Sequence, residues 1–329
     1  MGEGRGEGAI LRAMPAIERL VFFGTPEFAV PTLAALVAAG RAPVRVVTQP
    51  SKPAGRGQRL EDPPVARWAR EHGLDVVQPQ KVREPEFLAG MRELAPDVAI
   101  VVAFGQIFPR DLLAIPPRGS INLHASLLPK YRGASPIQAA VAAGETRTGA
   151  TTMLMEAGLD SGPILLQEET EIGPDETAGE LSRRLSEMGG RLVVRTLDEL
   201  ERGNLTPRPQ PSEGITYAPR LTRESGRADW SRTARELSDR LRAYTPWPGM
   251  AASLKAQPVK IVRARPLENG NGDGREPGTL LGLRDGLLAV ACGDGTVLGV
   301  EELQRPGKRP LKAADFLNGE RLRAGERFD

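Results

Sequence analysis

Residues 97–105, DVAIVVAFG, set seven consecutive apolar residues between an aspartate and a glycine. A run this short, rich in Val and Ile, reads as a strand buried on both faces, the pattern of a parallel sheet. Three similar stretches precede it: 19–24 (RLVFFG), 43–49 (PVRVVTQ) and 75–79 (DVVQP). Residues 26–39 and 64–72 read as helices between them, the second with Pro64 in its first turn and Gly73 at its C-cap. Strands alternating with helices imply right-handed βαβ units and a doubly wound α/β domain.

Outward from this core, 120–126 (SINLHAS) reads as a further strand leading to a helix near 135–143. Residues 149–157 and 163–169 read as paired strands, and 176–202 as a long helix. The tract 203–222 contains four prolines and few core residues, so it is expected to be an extended linker. Beyond it, 230–244 reads as one amphipathic helix. The short β runs PVKIVRA, TLLGL, LLAVAC and TVLGVEEL then suggest a small antiparallel barrel, with NGNGDG at 269–274 as a turn. The expected division is an N-terminal extension (1–18), a catalytic domain (19–203), a linker (204–222) and a C-terminal domain (223–329).

The chain has 329 residues, a net charge of +2, one cysteine (Cys292) and two histidines (His72 and His124). One cysteine excludes an intrachain disulfide and a Cys-rich zinc site. No apolar run has the length of a membrane span, and the N-terminus has no signal-peptide core. These features are expected of a cytoplasmic protein. Lys and Arg outnumber Asp and Glu from Arg223 onward, a weak pointer to an anionic partner.

The chemistry concentrates in 121–133, INLHASLLPKYRG. Asn122 and His124 are two apart in a strand, so they share a face near its C-terminal end, where open α/β sheets bind ligands. Ser126–Pro129 would leave the strand as a loop whose backbone groups face a ligand. His72, in WAREHG, has no such context and reads as a helix-end residue. Gly24-Thr25-Pro26 is not a G-x-G-x-x-G fingerprint, so no dinucleotide is expected.

Asn122-x-His124-x-Ser126-Leu127-Leu128-Pro129, followed by Gly158-Leu159-Asp160-Ser161-Gly162, resembles the signature of the folate-dependent formyltransferases. The resemblance implies a Rossmann-like catalytic fold, 10-formyltetrahydrofolate as formyl donor, no metal, and Asn122, His124 and Asp160 as the catalytic set. Ser126, Leu127, Leu128, Pro129, Phe104 and Gly105 are the candidate folate contacts. A neutral amine attacking a formyl carbon generates an oxyanion. A carboxamide N–H from Asn122 and an imidazolium N–H from His124 would stabilise it, one such donor contributing roughly 2.7–4 kcal/mol. Asp160 would orient His124, favour its protonated form and help remove the amine proton.

The acceptor is legible elsewhere. Residues 48–60, TQPSKPAGRGQRL, resemble the inserted loop of the family branch that acts on methionyl-tRNA, which implies that Lys52, Arg56 and Arg59 contact the RNA. GRADW (226–230) and YTPWPG (244–249) resemble that branch's OB-like C-terminal domain, with Lys255, Lys260, Arg263 and Arg265 as one candidate tRNA-binding patch. Arg305, Lys308, Arg309 and Lys312 form another. The expected partner is methionyl-initiator tRNA, and the expected state is a monomer. An amino-sugar or glycinamide-ribonucleotide formyltransferase, or a formate-releasing hydrolase, would share the three catalytic residues but leave the PAGRG loop with this C-terminal domain unexplained. A silent RNA-binding protein would leave the catalytic set without a purpose.

Overall fold

The computed structural model describes residues 16–54, 59–268, 270–272 and 274–329. The chain opens with β1 (Leu20–Gly24), a 3-10 turn at Glu27–Ala29 and α1 (Val30–Ala38). Next come β2 (Arg45–Val47), β3 (Lys52–Ala54), β4 (Arg59–Glu61), α2 (Pro64–Glu71) and β5 (Val76–Val77). The middle of the chain holds α3 (Pro85–Leu94), β6 (Val98–Val102), α4 (Arg110–Leu113), β7 (Ser120–His124), β8 (Arg132–Gly133) and α5 (Pro136–Ala142). A strand pair, β9 (Arg147–Leu154) and β10 (Ile164–Glu171), leads to α6 (Ala178–Glu201).

Seven strands form one sheet in the order β10-β9-β7-β6-β1-β2-β5. β1 pairs in parallel with β2 and β6, β6 with β7, and β2 with β5, while β7 and β9 run antiparallel. β1 and β6 are buried along their whole length, as a sheet covered on both faces requires. The strand order reverses between β1 and β6, so their carboxyl ends bracket the switch point where such sheets bind ligands. Thr25 Oγ1 closes that gap by donating to the Phe104 carbonyl at 2.9 Å.

α6 has two adjacent glycines in its interior, which cost about 0.5–1 kcal/mol each in helix propensity. A β-carbon at Gly189 would stand 2.5 Å from Leu123, and one at Gly190 would stand 3.0 Å from the Pro31 carbonyl. The glycines therefore let α6 approach β7 and α1 closely, which seats the strand that carries Asn122 and His124.

The remaining elements are β11 (Tyr217–Ala218), α7 (Ala234–Ala243), β12 (Met250–Leu254), β13 (Gln257–Pro266), β14 (Leu280–Arg284), β15 (Leu287–Ala291), β16 (Val297–Gln304), β17 (Leu311–Lys312) and α8 (Ala313–Glu320). They build an antiparallel sheet ordered β12-β13-β16-β15-β14, with β17 on β16. Bridges Leu254↔Phe328 and Thr279↔Arg327 lay the last residues against both edges and close it towards a barrel. Its core includes Leu237 and Leu241 of α7, Val259, Ile261, Val290 and Val300, with Trp230 stacked on Phe328 at 5.1 Å. Cys292 is buried here, its thiol pushed up to about 12 by desolvation, a structural rather than reactive setting.

The chain forms two compact units. One comprises residues up to Arg132, Gly149–Glu169 and Arg184–Ile215; the other comprises Gly133–Thr148, Thr170–Arg183 and Thr216–Asp329. The tract expected to be a linker is extended but pinned. Arg208 exchanges both backbone hydrogen bonds with Ile164, at 2.8 and 2.9 Å, and Ala218 accepts from the amides of Ala134 and Ser135. No helix among the described residues is long and apolar enough to cross a membrane.

Candidate active site

Asn122 lies on β7 between Val101 of β6 and Met153 of β9; His124 ends the strand opposite Thr151. Two residues apart, they share a face as expected. Asp160 comes from the loop between β9 and β10, in the left-handed backbone region at φ 45°. Its Oδ2 is 3.7 Å from His124 Nδ1, with the two side chains 19% and 6% exposed.

The other imidazole nitrogen is already engaged. His124 Nε2 is 2.9 Å from the Tyr131 carbonyl. A carbonyl accepts and never donates, so Nε2 carries a hydrogen. The neutral ring then has its lone pair on Nδ1, the nitrogen that faces Asp160. Burial pulls the imidazole pKa below its ordinary 6.5 and outweighs the opposing pull of Asp160 and of the Tyr131 hydrogen bond. Asp160 thus favours the protonated form, as expected, but desolvation is the larger effect, so the net shift is downward and favours the neutral ring.

The candidate folate loop also differs from expectation. The Ser126 carbonyl accepts from Thr151 Oγ1 at 2.7 Å, and its hydroxyl donates to the Lys130 carbonyl at 2.6 Å. The Leu128 amide and carbonyl are taken by Thr151 Oγ1 and Gln167 Nε2. These backbone groups are therefore satisfied internally rather than left facing a ligand. Leu128 is buried with Met153 and Ile164, and Phe104 packs on Phe23. Leu127, Pro129 and Gly105 retain accessible surface. Gly105 adopts φ 84°, and a β-carbon there would meet Gln49 Nε2 at 2.4 Å, the same amide that donates to the Phe104 carbonyl.

Within the 48–60 stretch β3 pairs antiparallel with β4, with Lys52 opposite Glu61 and Ala54 opposite Arg59. Asp62 ties its base to Ser51 at 2.6 Å and to Arg70. Lys52 is exposed; Arg56 lies outside the described residues, and Arg59 is described through its backbone in β4. In the barrel, Lys260 is exposed on β13, Lys255 pairs with Glu326 at 3.4 Å, and Arg263 is 3.9 Å from Glu301. Arg305 is an internal tie: it binds Glu320 at 2.7 Å, donates to the Gln257 and Pro258 carbonyls, and lies over the Phe316 ring.

Sequence reasoning did not single out three residues in the contacts around His124 and Asp160: Tyr131, Arg132 and Gln210. Tyr131 acts through its carbonyl, which no side-chain pattern announces. Arg132 is buried, and Gln210 sits between prolines in the tract read as a linker. Its place between Pro209 and Pro211 was the one available signal for Gln210.

A doubly wound sheet with this Asn, His and Asp arrangement, continued by an antiparallel barrel, defines a formyl transferase. The formyl transferase model matches residues 18–197, and the formyl transferase C-terminal domain model matches residues 220–321. Within that class the chain belongs to the methionyl-tRNA formyltransferase family. It is 47% identical over 311 residues to the methionyl-tRNA formyltransferase of Geobacter sulfurreducens, covering 94% of this chain and 96% of the relative. It is 50% identical over 305 residues to that of Acidobacterium capsulatum, covering 92% and 97%. Among solved structures, the N-formyltransferase of Helicobacter canadensis in complex with folinic acid and dTDP-3-aminofucose shares the fold. Its TM-score is 0.63 at 17% identity, with 86% of this chain and 98% of that one covered.

Proposed function

We propose that the chain transfers the formyl group of 10-formyltetrahydrofolate to the α-amino group of methionyl-initiator tRNA, with Asn122, His124 and Asp160 carrying the chemistry. The observation behind this reading is the buried imidazole held between the Tyr131 carbonyl on Nε2 and the Asp160 carboxylate beside Nδ1.

The attacking amine must be neutral; an α-amino group with a pKa of about 7.7–8.0 supplies a useful neutral fraction near neutral pH. As its nitrogen bonds to the formyl carbon, the formyl oxygen gains charge, and the Asn122 carboxamide donates an N–H to it. His124 Nδ1 accepts the proton leaving the amine, directly or through a water, and the Asp160 carboxylate stabilises the resulting imidazolium. The imidazolium returns the proton to the departing folate nitrogen, which leaves the formamide on the amine and resets His124.

The test is a transfer assay with 10-formyltetrahydrofolate and either methionyl-tRNA or small amines. Formylation of methionyl-tRNA is expected; formylation of the small amines alone would reverse the assignment of the acceptor.

A further inference from the structure

We infer that Gln210 is a positioning residue for this transfer, one carboxamide that holds both loops flanking His124; the inference rests on the proposed roles of His124 and Asp160. Gln210 Nε2 donates to the carbonyls of Asp160 and Gly162, each at 2.8 Å. Its Oε1 accepts from Arg132 Nε at 3.1 Å and Nη2 at 2.7 Å. Two donors and two acceptor positions are all that a carboxamide has, and all four are matched. The orientation is unambiguous. A flipped amide would set its oxygen against two carbonyls and its NH2 against a guanidinium.

These contacts close a ring around the imidazole. Arg132 directly follows Tyr131, whose carbonyl binds His124 Nε2. Asp160, whose backbone Gln210 grips, presents its carboxylate to Nδ1 of the same ring. Tyr131 and Asp160 both have positive φ, 61° and 45°, a backbone region that persists in ordinary residues where surrounding contacts enforce it. Gln210 supplies such contacts to Asp160 directly and to Tyr131 through the adjacent Arg132.

The proline-rich tract suits this task. Pro209 and Pro211 frame Gln210, and a following proline confines a residue to extended conformations, so the glutamine is largely preordered before it docks. The reciprocal Arg208–Ile164 bonds, two residues earlier, fix its register.

The test compares Gln210→Ala and Gln210→Glu in the full chain. Glutamate keeps the length and still accepts from Arg132, but it sets oxygen against the Asp160 and Gly162 carbonyls. In both variants kcat is expected to fall about 100-fold, the scale of an ångström-level misplacement, while KM for methionyl-tRNA and for the formyl donor stays within about twofold. The His124 imidazole nitrogen resonances, isolated in a His72→Gln background without substrates, are expected to shift in both. A cooperatively folded variant with kcat within about threefold of the parent overturns the inference, as does a loss carried by KM. Failure of both variants to fold also overturns it, in favour of a purely structural role. If the parent itself transfers no formyl group, the functional reading fails, and the resonances alone decide whether Gln210 positions the ring.

Discussion

Gly162 passes so close to Leu154 that a β-carbon on it would stand 1.8 Å from the Leu154 carbonyl oxygen. That carbonyl belongs to the end of β9, and Gly162 closes the loop that presents Asp160. The approach is between two backbones, so no flexible side chain is available to yield.

Gly162→Ala therefore has to move the loop. The expected stability loss is about 1–3 kcal/mol, the range for forced overpacking. Turnover should fall by about 100-fold, because the displaced segment carries Asp160. Thermal unfolding and kcat measured on the same preparation check this; an alanine variant with parental kcat would remove the argument that the loop sets the position of Asp160.

His124 makes a pH prediction whose sign follows from its environment. Burial lowers the folded-state pKa below the ordinary 6.5, so between those two values the unfolded chain binds a proton that the folded chain does not. Stability then rises with pH across that window, and it is lost as pH falls from about 6.5 towards the folded pKa. Comparing unfolding free energies at pH 7.5 and 5.5 should show less acid loss in His124→Gln than in the parent. Equal loss in both proteins contradicts the buried neutral imidazole.

Most of the sheet was legible because burial on both faces leaves a strong local signature, as in Val98–Val102. Asn122 and His124 were legible because strand spacing alone puts them on one face. α3 was missed although Phe87, Leu88, Met91 and Leu94 form its apolar stripe, because Gly90, a poor helix former, sits in the middle of a ten-residue segment. α8 was missed because eight residues containing Gly319 give too little periodicity. The β3–β4 pairing was hidden by Pro53, which disfavours a strand reading. The net downward shift of the His124 imidazole was not legible, because it depends on desolvation by residues distant in sequence. The Gln210 contacts span about fifty residues to Asp160 and nearly eighty to Arg132, beyond any local pattern.

The start of α7 offers a check on local encoding. The expected helix began at residue 230, but it begins at Ala234, where Thr233 and Glu236 form a reciprocal capping box. Thr233 Oγ1 accepts from the Glu236 amide, and the Glu236 carboxylate accepts from the Thr233 amide at 2.9 Å. Thr233→Ala should cost about 1 kcal/mol, and Thr233→Ser should keep most of the stability. The two unfolding midpoints decide; indistinguishable variants would show that tertiary packing, rather than the cap, fixes the boundary.

Charged side chains in the barrel divide by what they already hold, and salt dependence separates them. Lys260 is exposed on β13, and Arg265 is exposed five residues later on the same strand. Arg305 is fixed by Glu320, two carbonyls and the Phe316 ring. If the first two meet tRNA phosphates, each alanine variant should weaken binding and reduce the slope of log K against log salt by about 1, because each lost contact releases one counterion fewer. Arg305→Ala should instead lower the unfolding temperature and leave the slope nearly unchanged, since its partners are internal. A slope unaltered in Lys260→Ala and Arg265→Ala would move the phosphate contacts off this strand, while a reduced slope in Arg305→Ala would mean that its guanidinium leaves Glu320 for the RNA.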